Sequence, residues 1–235
     1  MLADDGVTPS VGRLTPTLHR PAEWIGVIID LIYQQLPRWR DDPERKALAP
    51  EDKLTSQLCQ FLNAAARGSH LDSIVFQTEV PDPEVSNRTL DLVPVPCGCT
   101  IWVGGQRYTY YDPLIPIECK RLPTPRGAKR EEQEYLHTQH GKKGGVQRFR
   151  AGLHGSTSKV GAIIAYIQVG SAPHWFTTIN QWIGALTQAG IDNWSCSETL
   201  HDHMHDVSAR TARSCSSHPR DGLDSITLQH LWVEM

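Results

Sequence analysis

Apolar residues in the first half of the chain recur first at helical and then at strand spacing. Ile25, Ile28, Ile29, Ile32 and Leu36 return every three or four positions, which predicts an amphipathic helix from Pro21 to about Leu36, with Pro21 suited to a first helical turn. A polar loop at 41–46 leads to a second helix opening near Pro50, where Glu51 and Asp52 complement the positive end of the helix dipole. Strand patterns follow at 74–80, 89–95 and 114–121, and residues 99–111 read as a hairpin turning at Gly104-Gly105. These segments predict a run of antiparallel pairing at the centre of an α+β or mixed sheet. Residues 123–139 are polar and rich in charge, and read as a mobile surface loop. A helix at 145–153, a nearly continuous apolar strand at 160–169, a helix at 173–189 and a closing strand at 225–233 complete the pattern. Residues 1–20 lack periodicity and read as an extended arm, which leaves 21–235 as a single domain with its core at about 50–170.

Composition narrows the function without choosing it. A net charge of -3 gives no general attraction to nucleic acid, yet basic residues cluster between Lys120 and Arg150, where a local cleft for DNA is compatible with the average. No apolar run is long enough to span a bilayer and the N-terminus, with Asp4 and Asp5, does not resemble a secretory signal, so no membrane partner and a cytoplasmic location are expected. The six cysteines are irregularly spaced and read as reduced thiols. Cys97 and Cys99 are a close pair, but tighter than most zinc knuckles and without a second pair nearby.

The segment Ile115-Pro116-Ile117-Glu118-Cys119-Lys120-Arg121 carries most of the candidate chemistry. Strand alternation puts Glu118 and Lys120 on one face and Ile115, Ile117 and Cys119 on the other. On a central strand such a pair is costly to bury unless a metal or phosphate meets it; on an edge strand it is a solvated ion pair. Asp91, alone among apolar neighbours in Thr89-Leu90-Asp91-Leu92-Val93, either caps a turn or is a second carboxylate that needs a cation. Glu51 falls on the same helix face as Leu54 and Leu58 and so points toward the core, unless it serves only as a solvated first-turn acid, the role that suits Asp52 better.

The order of helix acid, strand Asp and then Glu-x-Lys resembles the PD-(D/E)XK nuclease superfamily over roughly 51–169. Leu90 stands before Asp91 where the name-giving pattern has Pro, and a hairpin lies between Asp91 and Glu118. The resemblance implies a restriction-endonuclease-like α/β/α core, a mixed sheet of four strands flanked by helices, and a catalytic set of Glu51, Asp91, Glu118 and Lys120. It implies that Asp91, Glu118, Glu51 and the backbone carbonyl of Cys119 hold Mg²⁺, with Mn²⁺ able to substitute, while Lys120 positions the attacking water. Gly144-Gly145-Val146-Gln147-Arg148-Phe149 and the strand after it are similar to nucleases of prokaryotic anti-phage defence, where Gln147 and Arg148 would contact a phosphate. The expected activity is metal-dependent hydrolysis of DNA, RNA offering the same linkage, with a protein partner or a second copy of the chain in a defence complex. Lys120→Ala and Glu118→Ala are each expected to abolish cleavage with the fold intact. A different expectation is a catalytically inactive nucleic-acid-binding or assembly subunit of the same fold.

His201, His203 and His205, with Asp202 and Asp206, contain the ligand types for zinc and suggest a third reading, a zinc-binding regulatory protein that also uses Cys97 and Cys99. The stretch is nevertheless expected to be a solvated polar connector, and Ser217-His218-Pro219-Arg220, ahead of the last strand, either borders the cleft or is a plain surface turn.

Overall fold

The computed structural model describes residues 23–47, 50–82, 88–127 and 130–235; the expected N-terminal arm lies outside them. In chain order the elements are α1 (Glu23–Arg40), α2 (Glu51–Arg67), β1 (Ile74–Pro81), β2 (Thr89–Pro96), β3 (Ile101–Val103), β4 (Gln106–Tyr108), β5 (Ile117–Leu122), α3 (Gly145–Arg150), β6 (Val160–Ile167), α4 (Ala172–Gln188), β7 (His201–Asp206), β8 (Thr211–Arg220) and β9 (Leu223–Glu234). The protein is α+β, with a seven-stranded mixed sheet in the order β1-β2-β5-β6-β9-β8-β7. β5, β6 and β9 run parallel to one another, and the pairs on either side are antiparallel.

Strand alternation divides the interior into two packed layers. Ala162, Ile164 and Tyr166 of β6 join Ile28, Ile32 and Leu36 of α1 and Leu54, Leu58 and Leu62 of α2 on one face of the sheet. Ile163, Ala165 and Ile167 join Val146 and Phe149 of α3 and Ile179 and Ile183 of α4 on the other. With both faces covered, β6 is apolar throughout, as a strand of a parallel interior should be. Burying each large aliphatic side chain contributes about 1.5–3 kcal/mol relative to leaving it exposed, which is why the three-and-four spacing of α1 fixes its inward face.

Several sequence expectations need correction. The apolar face of α1 runs one turn past Leu36, to the fully buried Trp39. The hairpin β3–β4 forms but stands as its own two-stranded sheet, apart from the run of antiparallel pairing it was expected to join. Residues 123–139 are not a mobile surface loop at their C-terminal end, since Tyr135, Leu136, His137 and Thr138 are buried under α3. The supposed connector around His201–His205 is β7, and the supposed turn at 217–220 belongs to β8, with His218 fully buried. β9 lies beside β6 and contributes Leu231 and Val233 to the first layer, so the packed core extends well beyond position 170.

Candidate active site

β2 and β5 share one ladder pair, Leu92 with Ile117, and then diverge. An interior strand whose neighbour turns away has N–H groups that must find other acceptors. Two carboxylates supply them. The Cys119 N–H donates to Asp91 Oδ2 at 2.8 Å, and the Arg121 N–H donates to Glu51 Oε2 at 2.8 Å. Side chains from β2 and from the first residue of α2 therefore stand where strand backbone would otherwise be, and the sequence-distant acids meet along the open side of β5.

The face of β5 opposite α2 carries Glu118 and Lys120, as alternation predicts. Glu118 is fully buried, and its Oε1 accepts from Lys120 Nζ at 2.6 Å and from Arg148 Nη1 at 2.6 Å. Lys120 Nζ also lies 3.7 Å from Glu51 Oε1, so one ammonium links two of the predicted acids. Burial by itself would push the Glu118 carboxyl upward, but Lys120, the facing His154 ring and Arg148 outweigh it and hold Glu118 well below the ordinary carboxylate range. Lys120 is the mirror case: burial would lower it, while Glu118, Glu51 and Asp91 together raise it and keep it charged. For Asp91, burial and then the charge of Glu118 push the carboxyl up to about 7, against the attraction of Lys120.

The other predicted residues divide. Arg148, on α3, is half-buried and engaged with Glu118, so it belongs to the site. Gln147 does not point there. Its Oε1 accepts from the N–H groups of Thr138 and Gly144, and its Nε2 donates to the Thr138 carbonyl and Asp192. With both amide protons used, Gln147 anchors the segment before α3 instead of offering a donor to phosphate. Cys97 and Cys99 are exposed free thiols, and the structure brings neither to the acids.

Two site residues were not singled out in the sequence. His154 is buried, with Nδ1 3.2 Å from Glu118 Oε2, and Arg130 Nη2 lies 3.5 Å from Glu51 Oε1. His154 follows the short helix α3 in an irregular segment without periodicity, and Arg130 is one charge among many in a basic stretch, so neither carried a pattern that could mark it.

Glu51, Thr55, Thr78, Glu79 and Asp91 line an open cavity of about 230 Å³. The fit of this cluster to a divalent ion can be judged from its donors. They are carboxylate oxygens, the kind that Mg²⁺ prefers, and the buried Glu118 Oε2 makes no hydrogen bond of good geometry among the described residues, although His154 Nδ1 lies 3.2 Å from it. An acid raised to about 7 beside other acids also marks a place short of positive charge. The spacing is looser than a closed shell: among the described residues, the set of His, Cys, Asp or Glu ligand atoms lying within 4.8 Å of one another is His201, Asp202 and Cys215, not the three acids. Glu118 Oε1 is held instead by Lys120 and Arg148. The donor set fits a hard cation in kind, and in this conformation Glu51 and Glu118 each turn an oxygen to Lys120 while Asp91 accepts from the Cys119 N–H.

Compared with known proteins, the chain matches no family model, no curated protein and no solved structure. No helix among the described residues is long and apolar enough to cross a membrane.

Proposed function

We propose that the chain is a metal-dependent nuclease that hydrolyses phosphodiester bonds of DNA, built on a restriction-endonuclease-like core and acting in restriction or anti-phage defence. The observation that supports this most is the divergence of β2 from β5, which draws Glu51, Asp91, Glu118 and Lys120 into one electrostatically coupled cluster beside an open cavity. Asp91 and Glu118, with Glu51 and the backbone carbonyl of Cys119, would hold Mg²⁺ or Mn²⁺; a bound ion lowers the pKa of water and offsets charge on the scissile phosphate.

The remaining steps belong to the protein. Lys120 stays protonated in this setting, so it would hold and orient the attacking water through its N–H donors and would not take the proton. Arg148, whose guanidinium already donates to a carboxylate oxygen, has the planar donor geometry to donate to a phosphate oxygen in exchange. Arg121, Arg126 and Arg130 line a hollow of about 650 Å³, and Arg130 reaches from it to Glu51. A nucleic-acid backbone lying there would be held by phosphate contacts, which set register without reading sequence.

Plasmid, linear and single-stranded DNA, and RNA, incubated with the purified chain with and without Mg²⁺, test the proposal. Product that requires the ion and disappears with Lys120→Ala supports it; cleavage that survives both chelation and that substitution refutes it. The complete burial of Glu118 between two cations favours a second reading, a catalytically inactive nucleic-acid-binding or assembly subunit. Binding of DNA without cleavage in Mg²⁺ or Mn²⁺ would select that reading.

A further inference from the structure

β7 and β8 form the sheet edge opposite the one that carries β1, so their side chains are remote in the strand order from the carboxylate cluster. Within β7, His203 and His205 stack with ring centroids 6.3 Å apart, and His201 stands away from both. His203 stacks on Phe176 of α4, with ring centroids 4.3 Å apart, and His205 lies 3.5 Å from Glu234, whose carboxylate also accepts from the first residue of α4. His201 is set apart by a bulge. Asp202 has φ +52° and the pairing register shifts between His201 and Met204.

That bulge has a chemical consequence. In a regular strand, Asp202 would point to the face opposite His201, whereas an extra residue lets two successive side chains serve one place. His201 is paired directly with Cys215 of β8, so its ring, the thiol and the displaced carboxylate come together. Cys215 Sγ lies 3.4 Å from Asp202 Oδ2, His201 Nε2 lies 3.8 Å from the same oxygen, and all three ligand atoms are within 4.8 Å of one another. Around a tetrahedral ion with bonds of about 2.0–2.3 Å, neighbouring ligand atoms stand about 3.3–3.7 Å apart. The cluster is therefore within a small side-chain adjustment of that geometry.

The tautomer agrees. His201 Nδ1 lies 3.2 Å from the Thr199 carbonyl, an oxygen that can only accept, which assigns the ring proton to Nδ1 and leaves the Nε2 lone pair toward Asp202 and Cys215. A ring nitrogen tied to a backbone carbonyl while the other faces the ion is the usual support for a metal-bound imidazole.

We propose that His201, Asp202 and Cys215 bind a borderline-soft divalent ion of the zinc class. The mixed nitrogen, oxygen and sulfur set discriminates against Mg²⁺, which prefers oxygen alone, and His201 and Asp202 are exposed enough to leave a fourth position for water. On binding, the Cys215 thiol forms a sulfur–metal bond and its proton, now shared with Asp202, passes to solvent. This site does not depend on the nuclease reading.

Titration of the full chain with Co²⁺ under reducing conditions, read by the thiolate-to-cobalt absorption band, tests it. The expected result is a stoichiometric band that Zn²⁺ displaces, that vanishes in Cys215→Ser, that needs about tenfold or more additional Co²⁺ in Asp202→Asn, and that persists in Cys97→Ser/Cys99→Ser and in Glu118→Gln. Absence of the band in the folded protein, or its persistence in Cys215→Ser, overturns the proposal. Circular dichroism of Cys215→Ser separates lost binding from lost folding.

Discussion

Lys120 and Glu118 are linked so tightly that substituting one acts on the other. Replacing Lys120 by Ala leaves Glu118 with Arg148, so the protein should fold while cleavage falls to background, measured as nicking of plasmid in Mg²⁺. The corresponding Glu118→Ala is not equally innocent, contrary to the expectation from sequence. It strands a buried ammonium and a guanidinium, a loss of about 3–5 kcal/mol by chemical denaturation, whereas Glu118→Gln keeps an oxygen for both and isolates the catalytic effect. Asp91 supplies the pH dependence. Its folded pKa of about 7 lies above the ordinary value of 3.8, so between those limits the native state holds a proton that the unfolded chain lacks. Stability of the metal-free protein should fall as pH rises from about 4 to about 7, and Asp91→Asn should remove that slope. For the same reason a cation held there, as proposed, would compete with the proton below 7. The Mg²⁺ concentration needed for half-maximal cleavage should rise about tenfold for each pH unit below 7, and an unchanged requirement would contradict the role given to Asp91.

At the level of elements, the site depends on how α3 is seated. The first N–H groups of that helix have no partner within it, and those of Gly145, Val146 and Gln147 donate to the carbonyls of Glu134, Tyr135 and Leu136. So close an approach requires residues without a side chain. A Cβ at Gly144 would lie 2.5 Å from the His137 Cα, and one at Gly145 would lie 2.8 Å from the Tyr135 carbonyl oxygen and 3.6 Å from Lys120 Cε. Gly145→Ala should therefore destabilise by about 1–3 kcal/mol, seen as a lower Tm, and should reduce cleavage further by shifting α3 and, with it, Arg148. The Gly144-Gly145 pair was visible in the sequence, but its reason was not: nothing local says that residues 134–136 return to cap this helix. The same blindness explains β7 and β8. A stretch of His, Asp, Ser and Arg carries none of the β-branched or aromatic enrichment that marks a strand, and it became one because the backbone of β9 offered a long edge to which β8 pairs, and β8 in turn pairs with β7.

Across the whole molecule a chain of buried polar groups joins elements far apart in sequence. Trp232 Nε1 donates to the Tyr135 hydroxyl, which donates to His230 Nδ1; His230 Nε2 then donates to Ser216, whose hydroxyl donates to His218 Nε2, and His218 Nδ1 donates to Glu198. Only this direction gives every hydrogen an acceptor, which assigns both imidazoles as neutral. Burial, followed by the neighbouring His218 and His201, pushes His230 down to about 3, and burial also lowers His218. A histidine lowered in the fold binds its proton more readily when unfolded, so this network loses stability as pH falls below about 6.5, opposite in sign to Asp91. Asp91→Asn should accordingly make the acid loss steeper in a titration of unfolding midpoints. Tyr135→Phe leaves His230 Nδ1 and Trp232 Nε1 unpaired in a dry interior and should cost about 1–3 kcal/mol in urea unfolding.

Local periodicity by itself determined α1, α2, β1, β2, β6, α4 and β9, because burying an apolar face requires its residues at fixed intervals along the chain. It also placed Glu118 and Lys120 on one face of β5, since the two-residue period of a strand allows nothing else. Only the tertiary structure decided that Asp91 and Glu51 cap the open side of β5, that His154 and Arg130 join them, and that His201 meets Cys215 instead of its neighbouring histidines. Those are choices about which backbone groups lose a partner when strands diverge or bulge, and they depend on segments tens of residues away.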